Sequence, residues 1–181
     1  MGSKDFMKSQ IKNKISQGFK CLKLKIGALD FKTEINLLKF IRSEYSYDDI
    51  QLRVDANGAF SVNDALEKLN TLSDFQLHSI EQPIKQGQIE HMAALCEKSL
   101  IPIALDEELI GVNGMQEKTE LLEKVKPQFI ILKPSLHGGL VGTLEWVSLA
   151  EKMGIGWWIT SALESSIGLE MIARLAGFLN P

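Results

Sequence analysis

The chain has 181 residues, 45% hydrophobic and 24% charged, with a formal net charge of -3, enough for one well-buried domain. So mild a charge gives no broad electrostatic case for nucleic acid or an acidic membrane as partner. No apolar run approaches the roughly 20 residues of a membrane helix, and the opening residues do not read as a secretory signal. Cys21 and Cys96 form no motif spacing. They read as buried free thiols of a reducing cytoplasm rather than a disulfide.

Phe6 to Phe19 reads as a helix feeding a first strand, Cys21 to Ile26. Ile35, Leu38, Ile41 and Arg42 follow helical spacing and precede a second apolar run, Ile50 to Val54. Ala65, Leu66 and Leu69 predict the next helix, with Ser61 or Asn63 as its N-cap. A run at Leu77 to Ile80 leads to a helix carrying Met92, Ala93, Leu95 and Cys96. Runs at Ile101 to Leu105 and Gln128 to Leu132 follow. A helix from Leu140 to Lys152 then ends at Gly154, and a last run, Trp157 to Thr160, precedes a closing helix. One tryptophan of the pair 157 and 158 is expected in the core. Most runs are rich in Ile, Leu and Val without clean alternation, as strands buried on both faces of a parallel sheet are.

Strand, helix, strand implies right-handed parallel crossovers, in an open doubly wound sheet or a (β/α) barrel. The polar residues that end the strands favour the barrel. Lys25, Asp55, Glu81, Asp106, Lys133 and Glu164 stand at intervals of 30, 26, 25, 27 and 31 residues. An eight-unit barrel of about 250 residues has about 31 per unit. A charged group at every strand end suits a closed ring whose strand ends converge on one site, whereas an open sheet spreads such groups along a line. Six strands are visible where a barrel needs eight. Residues 1–181 are therefore expected to form a single domain, an incomplete α/β fold of the (β/α) TIM-barrel type.

Three carboxylates at one barrel mouth, Asp55, Glu81 and Asp106, would repel one another unless a cation bound them. Hard oxygen ligands favour Mg²⁺, or Mn²⁺, over zinc, and no His/Cys cluster argues for zinc. Alternation along a strand points Lys23 and Lys25 to one face. A lysine near a divalent cation and another ammonium has its neutral form favoured and can serve as a general base. A cation holding a substrate carboxylate stabilises the enediolate made when the α-proton leaves. The alternatives are that each carboxylate caps a helix and each lysine is a counter-charge.

Five motifs stand in order: Lys-Leu-Lys at 23–25, Asp-Ala-Asn at 55–57, Ile-Glu-Gln-Pro at 80–83, Leu-Asp-Glu at 105–107 and Ile-Leu-Lys-Pro at 131–134. This set resembles the enolase superfamily in its muconate-lactonising branch. The segments 78–83, 133–139 and 160–168 resemble the o-succinylbenzoate synthase family of menaquinone synthesis. That resemblance implies Asp55, Glu81 and Asp106 as Mg²⁺ ligands, Lys25 and Lys133 as the catalytic pair and Lys23 as an auxiliary charge acting on Lys25. It implies a carbon–oxygen lyase acting on a small-molecule carboxylate, a cyclohexadiene carboxylate bearing a succinyl chain. It also implies substrate contacts at Asn57, Ser161, Ser165 and Gly168. The family's capping domain is not expected within these residues, so turnover by them is expected to be weak or absent. A racemase or epimerase on N-acylated amino acids or dipeptides would use the same two lysines. A non-catalytic metal-binding fragment would use neither. His137, ahead of Gly138-Gly139, is left open between loop residue and substrate contact, and Glu164 fits the strand-end series without a role.

Overall fold

Leu22 and Leu24 are buried while Cys21, Lys23 and Lys25 stay exposed, and this alternation gives the strand β1 (Cys21–Lys25) one dry face. It belongs to a computed structural model that describes residues 4–179. The chain packs as two compact units. One holds the residues up to Lys85 with Ser99–Ile101; the other holds Gln86–Lys98 with the residues from Pro102 onward.

The first unit runs α1 (Lys4–Ser16), β1, α2 (Phe31–Glu44), β2 (Gln51–Asp55), α3 (Ala65–Ser73) and β3 (Ser79–Glu81). β1 pairs with β2 and β2 with β3, in parallel both times. Its core gathers Leu24, Leu38, Ile41, Leu52, Val54, Leu69 and Ile80, all buried. The turn into α2 is tied twice. Asp30 accepts the Thr33 N–H at 2.9 Å, and the buried Glu34 carboxylate accepts the N–H groups of Gly27, Ala28 and Leu29, which would otherwise lack partners. At the other end Arg42 donates to the carbonyls of Ser46, Ile50, Phe75 and Gln76.

The cap of α3 differs from expectation. Asp64 stands at the N-cap, not Ser61 or Asn63. Ser61 Oγ donates to Asp64 Oδ1 at 2.8 Å, and the Ser61 carbonyl accepts from Asp64 N and Ala65 N. Ser61 thus closes a separate turn just before the helix, the local competition that short polar side chains offer.

The second unit runs α4 (Ile89–Lys98), β4 (Ile103–Leu105), a short 3-10 turn (Glu107–Leu109), α5 (Met115–Val125), β5 (Phe129–Leu132), α6 (Gly139–Met153), β6 (Gly156–Ile159) and α7 (Ser166–Leu179). β4, β5 and β6 pair in parallel in chain order. Met92, Ile103, Leu105, Leu122, Ile130, Leu132 and Trp146 fill its core. α6 ends at Gly154 as expected.

β3 and β4 are buried throughout and β5 nearly so, as strands with two dry faces should be. β1 and β6 are not. The two tryptophans of β6 are half-exposed, with Trp158 against Phe129, and neither is a core residue. Trp146 of α6 takes that place. Cys96 is a buried free thiol, but Cys21 is exposed, because it shares the solvent-exposed face of β1 with Lys23 and Lys25. No helix of the described residues is long and apolar enough to cross a membrane.

Candidate active site

The register of the first unit sets Lys25 beside Asp55 and Asp55 beside Glu81, so the last residues of three adjoining strands stand level. Asp55 and Glu81 are buried. Lys23, two residues back on β1 and on the same face as Lys25, donates to Asp55 Oδ2 at 3.1 Å and to Glu81 Oε2 at 2.8 Å. Lys25 donates to the same Asp55 oxygen and to Asn57 Oδ1, the latter at 2.6 Å. Asp55 Oδ1 accepts the Asn57 N–H at 3.0 Å. Glu81 Oε1 is buried without a hydrogen-bond partner among the described residues.

The electrostatics follow from that packing. Burial works to raise the Asp55 pKa, but the hydrogen bond from Lys25 and the charges of both lysines outweigh it, and Asp55 lies below the usual carboxylate value. For Glu81 burial prevails: with the Asp55 carboxylate beside it, its pKa is raised, against the pull of Lys23. Two like charges side by side separate in this way. Burial disfavours the Lys23 ammonium too, yet Glu81 and Asp55 more than offset it and its pKa is raised. Lys23 is thus a fixed cation under Lys25.

The second unit carries the other two residues. Asp106 follows β4, is fully buried, and opens the 3-10 turn. Lys133 follows β5 and its ammonium donates to Asp106 Oδ2. The Lys133 backbone N–H donates to Nδ1 of His137 at 3.0 Å. His137 is buried against Trp146, and burial takes its pKa down to about 4. Lys118 of α5, which the sequence reading did not single out, is buried and donates to Glu145 Oε2 at 2.7 Å and to the Gly142 carbonyl at 3.3 Å.

The remaining expected contacts are of mixed standing. Asn57 is exposed and bonded to Lys25. Glu164 accepts from Ser135 Oγ at 2.5 Å and from Ala162 N at 2.7 Å, so it ties the segments after β5 and β6 together. Ser165 is exposed ahead of α7, and a Cβ on Gly168 would come within 2.7 Å of Glu164 Cβ.

A family model described as "Enolase C-terminal domain-like" matches residues 7–180; the chain belongs to that family. Its fold class is a TIM-type (β/α) barrel, of which these residues supply six strand–helix units. Within the family, the chain is 52% identical over 181 residues to o-succinylbenzoate synthase of Desulfotalea psychrophila, covering 100% of this chain and 49% of that protein. The crystal structure of MenC from the same organism superimposes over 100% of this chain and 50% of that one, with a TM-score of 0.94 and 51% identity. A dipeptide epimerase from Enterococcus faecalis, solved with Mg and the dipeptide L-Leu-L-Tyr, is 30% identical with a TM-score of 0.86, covering 97% of this chain and 49% of that one. The chain thus spans about half the length of these relatives.

Proposed function

We propose that these residues carry the chemistry of a metal-dependent carbon–oxygen lyase of the o-succinylbenzoate synthase type, working in the cytoplasm in menaquinone synthesis. One observation carries this reading: 52% identity to that enzyme along the entire chain. The charged strand ends support it.

The donor set fits a hard divalent cation. Asp55, Glu81 and Asp106 offer only carboxylate oxygens, which suit Mg²⁺ or Mn²⁺, and Glu81 Oε1 is a buried acceptor with no hydrogen-bond donor among the described residues. Among the described residues no group of three His, Cys, Asp or Glu side chains is gathered as a ready-made cation site; lysines hold these carboxylates instead. On this reading the three carboxylates are the Mg²⁺ ligands. When bound, the ion would supply positive charge to a substrate carboxylate whose α-proton is leaving.

Lys25, half-exposed at the end of β1, removes the proton α to that carboxylate and then passes it to the departing hydroxyl, so that water leaves. Lys23 keeps a positive charge beneath it. Lys133 sets its ammonium against the negative charge that develops. Asn57 holds Lys25 at its resting place, and Ser161, Ser165 and Gly168 face the succinyl end. The test is loss of water from a cyclohexadiene carboxylate bearing a succinyl chain, with α-proton exchange into ²H₂O followed in parallel, with and without EDTA. Lys25→Ala and Lys133→Ala should each abolish exchange. Exchange that survives both changes would sink the reading. Exchange without water loss would favour the epimerase chemistry of the Enterococcus relative.

A further inference from the structure

Lys133 leaves β5 one residue past Leu132, and its two ends are held by different partners. The ammonium lies on Asp106. The backbone N–H donates not to a strand carbonyl but to His137 Nδ1, four residues on, at 3.0 Å. Pro134 has no N–H to offer. Its carbonyl accepts from His137 N at 3.3 Å and Gly139 N at 2.8 Å, and the Lys133 carbonyl accepts from Leu136 N at 2.8 Å. Backbone and side chain together close this turn.

The imidazole has no freedom within it. His137 is 1% exposed, and its ring meets Trp146 edge-on at 6.5 Å. Its carbonyl lies 1.9 Å from where a Cβ on Gly142 would sit, so the first turn of α6 accepts only glycine there. An imidazole that accepts at Nδ1 carries its one proton at Nε2 and is neutral.

We propose that His137 is a positioning residue for Lys133: by accepting the lysine's backbone N–H it fixes the direction in which the chain leaves β5, and with it the place of the ammonium against Asp106. A lysine reaches its target over a flexible four-carbon stem. Where the stem begins therefore decides what the ammonium can reach. His137 touches no reacting atom and acts through Lys133 alone. The catalytic half of this inference rests on the role given to Lys133 above; the structural half does not.

The test uses the 181-residue chain and three variants. In the wild-type chain, ¹⁵N spectra of the histidines should show His137 with Nδ1 bare and Nε2 protonated; a proton on Nδ1 would overturn the proposal without any variant. His137→Leu should expose the Lys133 amide to exchange about tenfold faster. It should also slow substrate α-proton exchange about a hundredfold with KM unchanged, the scale of a reacting group misplaced by an ångström. His137→Asn puts an amide oxygen where Nδ1 stood and should restore both. His137→Gln puts it where Nε2 stood and should restore neither. A Lys133 amide equally protected in His137→Leu would overturn the proposal, as would a kinetic loss that Asn fails to mend. If the wild-type chain exchanges no substrate proton, as expected above of these residues alone, the nitrogen spectrum and the amide protection decide whether His137 holds Lys133, and a proton on Nδ1 or an unchanged amide overturns the proposal.

Discussion

Burial holds His137 well below the usual imidazole pKa of 6.5, at about 4; the Lys133 and Lys118 charges push the same way and Asp106 opposes them. The unfolded chain therefore takes up a proton between those values that the folded chain refuses. The His137 contribution to stability should be constant above about pH 6.5 and fall by about 1.4 kcal/mol per unit as the pH drops toward 4, while the raised Glu81 carboxyl tilts the total the other way and is common to wild type and variant. Urea melts of wild type and His137→Gln from pH 7 to 4.5 check this: the slope assigned to the imidazole should vanish in the variant. The strand-end places of Asp55, Glu81, Asp106 and Lys133 were legible in the sequence because each is a polar residue directly after an apolar run, and that of Lys25 from the alternation Lys-Leu-Lys. The bond between His137 and Lys133 was not, since a side chain that folds back on the backbone across a turn leaves no periodic mark. Cys21 was misread from its apolar neighbour Leu22, although the alternation of Cys-Leu-Lys-Leu-Lys already set it on the face of Lys23 and Lys25.

Among the helices, α5 was the one hidden from sequence inspection. Its composition is polar, yet Lys118, Leu122 and Val125 lie at i, i+4 and i+7 and form its buried stripe. A lysine in that stripe breaks the hydrophobic pattern that reveals the others. The pairing of Lys118 with Glu145 joins α5 to α6, and Trp146 lies 5.3 Å below the ammonium. Removing the carboxylate strands a buried charge, whereas replacing the lysine by an apolar chain of similar length does not. Glu145→Gln should therefore cost about 3 kcal/mol and Lys118→Met about 1 kcal/mol or less. Chemical denaturation of both variants measures the order, and a more damaging Lys118→Met would contradict it. Strand boundaries were legible to within two residues, because the apolar runs are bounded by Pro, Gly and charge. Which strands have a wet face was not legible. That depends on which strand lies alongside, as β1 and β6 show.

At the scale of the whole chain, Lys23, Lys25, Asp55 and Glu81 belong to the first unit and Asp106 and Lys133 to the second. The order of these residues along the chain could be read in advance, but the lysine–carboxylate pairs that hold them could be read only in part. If Asp55, Glu81 and Asp106 ligate Mg²⁺, the ion binds the native chain and not the unfolded one. At a hundred times its dissociation constant it adds about 2.7 kcal/mol, which for a chain of this size raises the melting midpoint by about 5–10 °C. Calorimetry with Mg²⁺ against EDTA measures the rise, and Glu81→Gln should remove most of it; an equal rise in that variant would exclude Glu81 as a ligand. The two thiols offer a way to watch this happen. Cys21 is open to solvent while Cys96 is buried, its pKa pushed up to about 12. A maleimide dye or nitroxide will therefore attach at one place without any engineering. That place lies on the lysine face of β1, about 13 Å along the strand from Lys25. The native sequence comes with its own attachment point for a reporter, close enough for a paramagnetic Mn²⁺ ion to broaden its signal.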